Sequence, residues 1–172
     1  MSNLVDESDP YNIKRVKVVD AGNSAGRIIF IDNQNYNNGI QLNQINGPES
    51  DLPVTFIFSA LKPVVLTGTI TGNVRMFFAG DFQFGMGTET VAYNGLTMFM
   101  SNGDMKICSS IWSYKNNPGG GFLSSDKDIT IVESASFQGQ IQCRGNFKTS
   151  GLIQFNDSVL KAPGFTVPKG MK

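Results

Sequence analysis

The densest group of residues that could perform acid–base chemistry in this chain consists of Asp126, Asp128 and Glu133. Paired carboxylates are the catalytic groups of most glycoside hydrolases, where one acts as an acid and the other as a base or nucleophile. Asp126 and Asp128 flank Lys127 at the expected junction of a loop and a strand, where charged side chains are normally solvated. We therefore predict no catalytic residues and no enzymatic activity. A β-helical polysaccharide hydrolase or lyase is the less favoured alternative.

Other catalytic and metal-binding patterns are missing from the sequence. The chain has no histidine, which removes the commonest general base and the commonest zinc ligand. The two cysteines, Cys108 and Cys143, form no Cys-x-x-Cys pair, so a structural zinc site is excluded. Cys143 falls on an inward position of the repeat described below and is expected to be a small buried side chain, with a disulfide as the alternative. We predict no metal and no cofactor.

Charge and hydropathy limit the partners of the chain. Lys and Arg number 14, Asp and Glu number 14, and charged residues make up only 16% of the sequence. Because no basic excess exists to displace counterions, we predict no binding to nucleic acid or to an anionic membrane. The N-terminus has no apolar signal region and no stretch reaches transmembrane length, so we expect synthesis in a host cytoplasm without a recognisable export signal.

Aromatic residues beside a glycine-rich loop supply a candidate glycan contact, formed by Trp112, Tyr114 and Asn116. Exposed aromatic rings stack on sugars, so a carbohydrate-binding or adhesin module is an alternative to a purely structural role. The opposing interpretation is that Trp112, the only tryptophan, belongs to the core.

A six-residue repeat predicts the architecture. Apolar residues recur every six positions over 129–165, and Gly139, Gly145 and Gly151 keep the same step. Short strands separated by glycine corners are typical of a β-solenoid or β-prism, and no helix has this period. We therefore predict an all-β fold with almost no helix, with an antiparallel β-sandwich as the alternative. Four members of the repeat are expected to form one buried line: Ile141, Phe147, Ile153 and Val159.

Composition divides the chain into three parts. Residues 1–20 contain seven charged side chains and are predicted to be an N-terminal arm that orders against a partner, with a plain first strand as the alternative. Residues 21–50 are an N-terminal β part that ends at a strong turn, and residues 51–172 are the β-body, which includes the repeat. The residues predicted to attach the arm are Tyr11, Ile13, Lys14, Arg15 and Val16.

Several predicted strands are apolar on both faces. Large side chains follow one another at 54–58, 76–78 and 98–100, and successive strand residues point to opposite sides of a sheet. Either a second layer within the chain or another subunit must cover the additional face. With so few charges, we predict self-assembly, and we favour a trimer. The predicted interface residues are Phe77, Phe78, Phe99 and Met100.

Together these features resemble bacteriophage virion accessory proteins, namely head fibres, decoration proteins and tail-fibre segments. The resemblance extends over the whole chain and rests on the arm, the low charge, the loops rich in asparagine and glycine, the lack of catalytic motifs and the repeat. It implies a homotrimer or larger ring in the virion. The arm would dock on other virion proteins, and the β-body would project from the particle or cement it.

Overall fold

A computed structural model describes residues 6–8, 13–86, 93, 94, 96–111, 120–132 and 135–155 of the 172-residue chain. Every regular element in these residues is a β-strand, and the chain winds into a β-solenoid with two sheets. All strand pairs but one in this part of the chain are parallel, as successive turns of a solenoid require. The predicted all-β solenoid is therefore confirmed, and the antiparallel sandwich is wrong.

The strands alternate between the two sheets, so each turn adds a strand to both. Sheet 1 contains, in hydrogen-bonded order, β1 (Asp6–Ser8), β2 (Lys14–Asp20), β4 (Ile40–Asn46), β6 (Val64–Leu66), β9 (Phe82–Phe84), β12 (Met105–Ile107), β14 (Ile129–Ile131) and β16 (Phe147–Thr149), with β7 (Ile70–Thr71) beside β4 and β10 (Tyr93–Asn94) beside β7. Sheet 2 contains β3 (Ile28–Ile31), β5 (Val54–Phe58), β8 (Val74–Phe78), β11 (Leu96–Ser101), β13 (Gly120–Ser125), β15 (Ser136–Cys143) and β17 (Leu152–Phe155).

The core lies between the sheets and consists of columns of stacked apolar side chains. In-register pairing places each inward residue directly on its equivalent in the next turn. One column of sheet 1 is Leu42, Leu66, Phe84, Ile107 and Ile131, and one of sheet 2 is Phe56, Met76, Phe99 and Leu123.

Aromatic rings join the two sheets in the middle of the solenoid. The Phe78 ring stacks on the Phe82 ring with centroids 4.0 Å apart, and the Phe82 and Phe99 centroids are 4.7 Å apart. These rings come from three different strands and are almost fully buried, so their mutual packing fixes the distance between the sheets.

The six-residue repeat is real, but its members do not form one line. Ile129 pairs with Phe147, three repeat units later, whereas Ile141 and Ile153 lie in sheet 2. One turn therefore contains three repeat units here, and four where Ile129 pairs with Met105 of the preceding turn. The predicted single buried line is wrong: Ile141 and Ile153 are half-buried against the core, Phe147 is 39% exposed, and Val159 lies outside the described residues.

The glycines of the repeat have two different roles. Gly145 and Gly151 lie at corners as predicted, since a Cβ on either would collide with backbone atoms of the preceding turn. Gly139 instead lies within β15, with φ of +148°, and its backbone is too close to Gly121 of the neighbouring strand for any side chain. This stack of two glycines leaves space for the Phe137 ring, which is fully buried.

The predicted arm is wrong for residues 14–20, because they form β2. This strand pairs in parallel with β4, and Val16 and Val19 are both only 3% exposed in the core. The alternative of a plain first strand is the one observed. The Lys14 ammonium lies 5.2 Å from the centroid of the Tyr36 ring, and Arg15 is exposed on the outer face. Of the residues predicted to attach the arm, Tyr11 lies outside the described residues.

The turn at 46–51 is not a domain boundary. Pairing of β4 with β6 and of β3 with β5 connects residues on both sides of it within the same two sheets. The turn itself packs on the next turn of the solenoid, since the Gly47 N–H donates to the Thr71 carbonyl at 2.7 Å. Residues 21–50 and 51–155 therefore belong to one solenoid.

Replacing Phe99 and Phe147 separately with alanine tests these packing assignments. Phe99 is fully buried among aromatic rings, so Phe99→Ala should lower the free energy of unfolding by about 3–5 kcal/mol. Phe147 is partly exposed, so Phe147→Ala should cost less than about 1.5 kcal/mol. Urea unfolding monitored by circular dichroism measures both values, and equal losses would contradict the assigned burial.

Candidate functional site

The outer face of sheet 2 carries a continuous apolar strip. Outward side chains of successive strands stack in register, just as the inward ones do. We name the first four positions of one such column the outer strip: Phe30, Ile57, Phe77 and Met100. Phe30 is 72% exposed, and the other three are half-buried by their neighbours in the column. The column continues with Ser124 and Gln142, so its apolar character ends before β13.

A second outward column runs beside the outer strip and is more enclosed. Met98 and Phe122 are adjacent in it and are only 3% and 5% exposed, although they point away from the core. Arg75 pairs with Met98 in this column and is half-buried. Burial lowers the pKa of the Arg75 guanidinium from its ordinary value, but this group remains charged at neutral pH.

A groove of about 300 Å³ opens along the outer strip. Ile57, Phe77 and Met100 line its apolar side, and Asp126 lies at its polar end. The Asp126 carboxylate is 3.4 Å from Arg144 Nε, and both side chains are largely exposed. The groove thus combines an apolar wall with a charged rim, which is the usual composition of a protein–protein contact surface.

The outer face of sheet 1 is different in character. Its in-register outward column contains charged and amide side chains in most turns: Arg15, Gln41, Val65, Gln83, Lys106, Thr130 and Lys148. Such a face is compatible with water, whereas the outer strip leaves apolar surface exposed. The two sides of the solenoid therefore differ in what they can contact.

The predicted interface residues are divided between the core and the surface. Phe77 and Met100 belong to the outer strip, as predicted for residues that contact a partner. Phe78 and Phe99 point inward, with 3% and 0% exposure, so assigning them to an interface is wrong. Sequence analysis missed Phe30 and Ile57, although the consecutive apolar residues at 28–31 could have indicated an apolar outer position there.

The candidate carboxylates occupy structural positions. The Asp104 N–H donates to Asp81 Oδ1 at 2.9 Å, the Asp128 N–H to Asp104 Oδ1 at 3.2 Å, and the Asn146 N–H to Asp128 Oδ1 at 2.8 Å. We name these four residues the corner ladder, because they occupy the same corner of successive turns. Glu133 lies outside the described residues.

Other predicted site residues carry no described chemistry. Trp112, Tyr114 and Asn116 lie outside the described residues. Cys108 and Cys143 are both free thiols, and burial raises the pKa of Cys108. Among the residues that the structure describes, no group of three or more acidic or cysteine side chains could hold a metal ion. The same part of the chain contains no helix that could span a membrane.

Comparison with known proteins gives no relative. No protein-family model, no curated protein and no solved structure matches this chain. The arguments about function therefore rest on the surface just described.

The corner ladder makes a testable contribution to pH dependence. The backbone N–H of Asn146, followed by its side-chain amide, lowers the pKa of Asp128, and Lys148 adds to this effect. Because the folded pKa is below the unfolded one, ionised Asp128 stabilises the fold above the unfolded value of about 3.9. This stability is lost as pH falls through the folded pKa.

Asp128→Asn keeps an acceptor oxygen but removes the charge and the titration. The wild type should melt at a higher temperature than this variant at pH 7 and lose that advantage in acid. Asp128→Ala, which removes the acceptor as well, should be the least stable of the three at neutral pH. Melts from pH 7 down to about pH 2.5 measure the differences. A wild-type advantage over Asp128→Asn that does not change with pH would contradict the role of the charge.

Proposed function

We propose that this protein is a non-enzymatic structural component of a virus particle that assembles with itself through the outer strip. The observation that carries the proposal is the stacked apolar column Phe30, Ile57, Phe77 and Met100 on an outer sheet face. Burying a side chain of this size stabilises by about 1.5–3 kcal/mol, so a contact that repeats over four strands has a substantial driving force.

The partner that fits the outer strip best is another copy of the chain. Copies aligned in parallel would place each apolar position against its equivalents, and the polar positions Ser124 and Gln142 would also face one another. Three copies around an axis parallel to the solenoid satisfy this condition and leave the polar face of sheet 1 outside. A trimer is therefore the favoured assembly.

Location in the virion is the remaining part of the proposal. It is supported by the resemblance of the sequence to phage head-fibre, decoration and tail-fibre proteins and by the solenoid body, which is typical of extended, rigid proteins. Synthesis would take place in the host cytoplasm, followed by incorporation into the particle. Mass spectrometry of particles purified from a host that expresses the tagged chain tests this part, and absence of the chain from purified particles would refute it.

Aspartate substitutions in the outer strip test self-assembly. Phe77→Asp and Met100→Asp each place a carboxylate where the proposed contact excludes water, so each should weaken association at least about 100-fold. Leu61→Asp is the matched control, because Leu61 is 82% exposed and lies outside the strip. Native mass spectrometry and sedimentation measure the mass of each variant, and melts of the same samples confirm folding. A wild type that is monomeric at micromolar concentration would refute self-assembly.

A further inference from the structure

The first strand of sheet 2 has an open edge. β3 pairs with β5 on one side, and no other strand in the described residues pairs with it on the other. At the same end of sheet 1, β1 pairs with β2 in antiparallel orientation and covers the corresponding edge. One sheet of the solenoid is therefore capped at this end, and the other is not.

The backbone of β3 presents hydrogen-bonding groups at this edge. The Thr55 N–H donates to the Arg27 carbonyl at 2.9 Å, and Ile28 is the register partner of Thr55. In a parallel pair, alternate residues direct both backbone groups to the same neighbour, so Ile29 faces β5 and the residues on either side of it face away. The N–H and C=O groups of Ile28 and Phe30 therefore point out of the sheet.

The side chains of β3 define what could pair there. Ile28 and Phe30 are 60% and 72% exposed on the outer face. Ile29 and Ile31 point inward but are only half-buried against the core. A strand added beside β3 would cover apolar side chains on both faces, so it should itself be extended and apolar on both faces.

β1 restricts the occupant to a single strand. A second solenoid stacked on this end would need both sheets to continue, but β1 already lies beside β2 in sheet 1. The space next to β3 is a gap of one strand in sheet 2 alone. An extended segment fits this gap, whereas another complete solenoid does not.

We propose that the open edge of β3 binds an extended, apolar segment of a partner protein by strand addition. Main-chain hydrogen bonds from Ile28 and Phe30 would supply affinity, and the apolar surfaces of β3 would select the side chains. This inference does not depend on self-assembly, since the edge lies at the end of the sheet and the proposed contact between copies lies on its face. It also gives the protein an attachment site in place of the predicted arm, whose residues 14–20 are part of the fold.

Hydrogen exchange of single amides tests the open edge directly. In the free protein, the Ile28 and Phe30 amides should exchange rapidly, and the Ile29 and Ile31 amides should be protected by β5. NMR exchange measurements on the full chain resolve these four residues. Protection of Ile28 and Phe30 in the free protein would show that another part of this chain already covers the edge, and would overturn the proposal.

A synthetic peptide with the sequence of β5, flanked by two lysines at each end and labelled with a fluorophore, is a suitable probe. β3 already pairs with this sequence on its other side, so the chemistry matches. Fluorescence anisotropy should show saturable binding, together with slower exchange of the Ile28 and Phe30 amides. A peptide N-methylated at alternate residues cannot form the hydrogen bonds on one edge and should bind at least about tenfold more weakly.

Proline and valine at position 30 separate the backbone from the side chain. Phe30→Pro removes the outward N–H but leaves the bonds between β3 and β5, so it should weaken peptide binding at least about tenfold while the chain stays folded. Phe30→Val keeps the N–H and should retain most of the binding. Phe77→Asp should bind the peptide like the wild type, which separates this test from that of self-assembly. Absence of wild-type binding at millimolar peptide, or equal binding by Phe30→Pro, would refute the proposal.

Discussion

In-register stacking of parallel strands is the constraint on which this structure depends. Each residue in a strand lies against the residue at the same position of the next turn, so one choice of side chain affects a whole column. Apolar columns satisfy this rule easily, as Phe56, Met76 and Phe99 show. Charged columns do not, because like charges about 5 Å apart repel one another. The scarcity of charged residues follows from this rule as much as from any requirement of the surface.

The corner ladder shows how the chain includes like charges despite this rule. Asp81, Asp104 and Asp128 lie one above another, yet each carboxylate accepts a backbone N–H from the next turn. These bonds stabilise the ionised form and connect adjacent turns at a corner, where the ladders of the two sheets are interrupted. The aspartates at 126 and 128 thus have structural partners, Arg144 and Asn146 respectively.

Sequence analysis predicted the solenoid because the repeat is local, and it failed where distant turns decide the outcome. The six-residue step is visible in the chain, but whether Phe147 is buried depends on how many units complete one turn, which the step does not specify. Alternation correctly indicates that Phe77 and Phe78 point to opposite sides, but it cannot say which of them faces the core. The charges near Lys14 suggested an arm because the burial of Val16 and Val19 depends on β4, which belongs to the next turn of the solenoid.

The variable length of the turns at constant register has a consequence for how such a protein can change in evolution. Val64 and its register partner Phe82 are separated by three repeat units, and Ile40 and its partner Val64 by four, yet the columns continue without interruption. A whole turn could therefore be duplicated or deleted without shifting any side chain from one face to the other. Each such event would change the height of the molecule by one strand spacing, about 4.8 Å. The protein can thus act as a ruler whose length is adjusted in discrete steps.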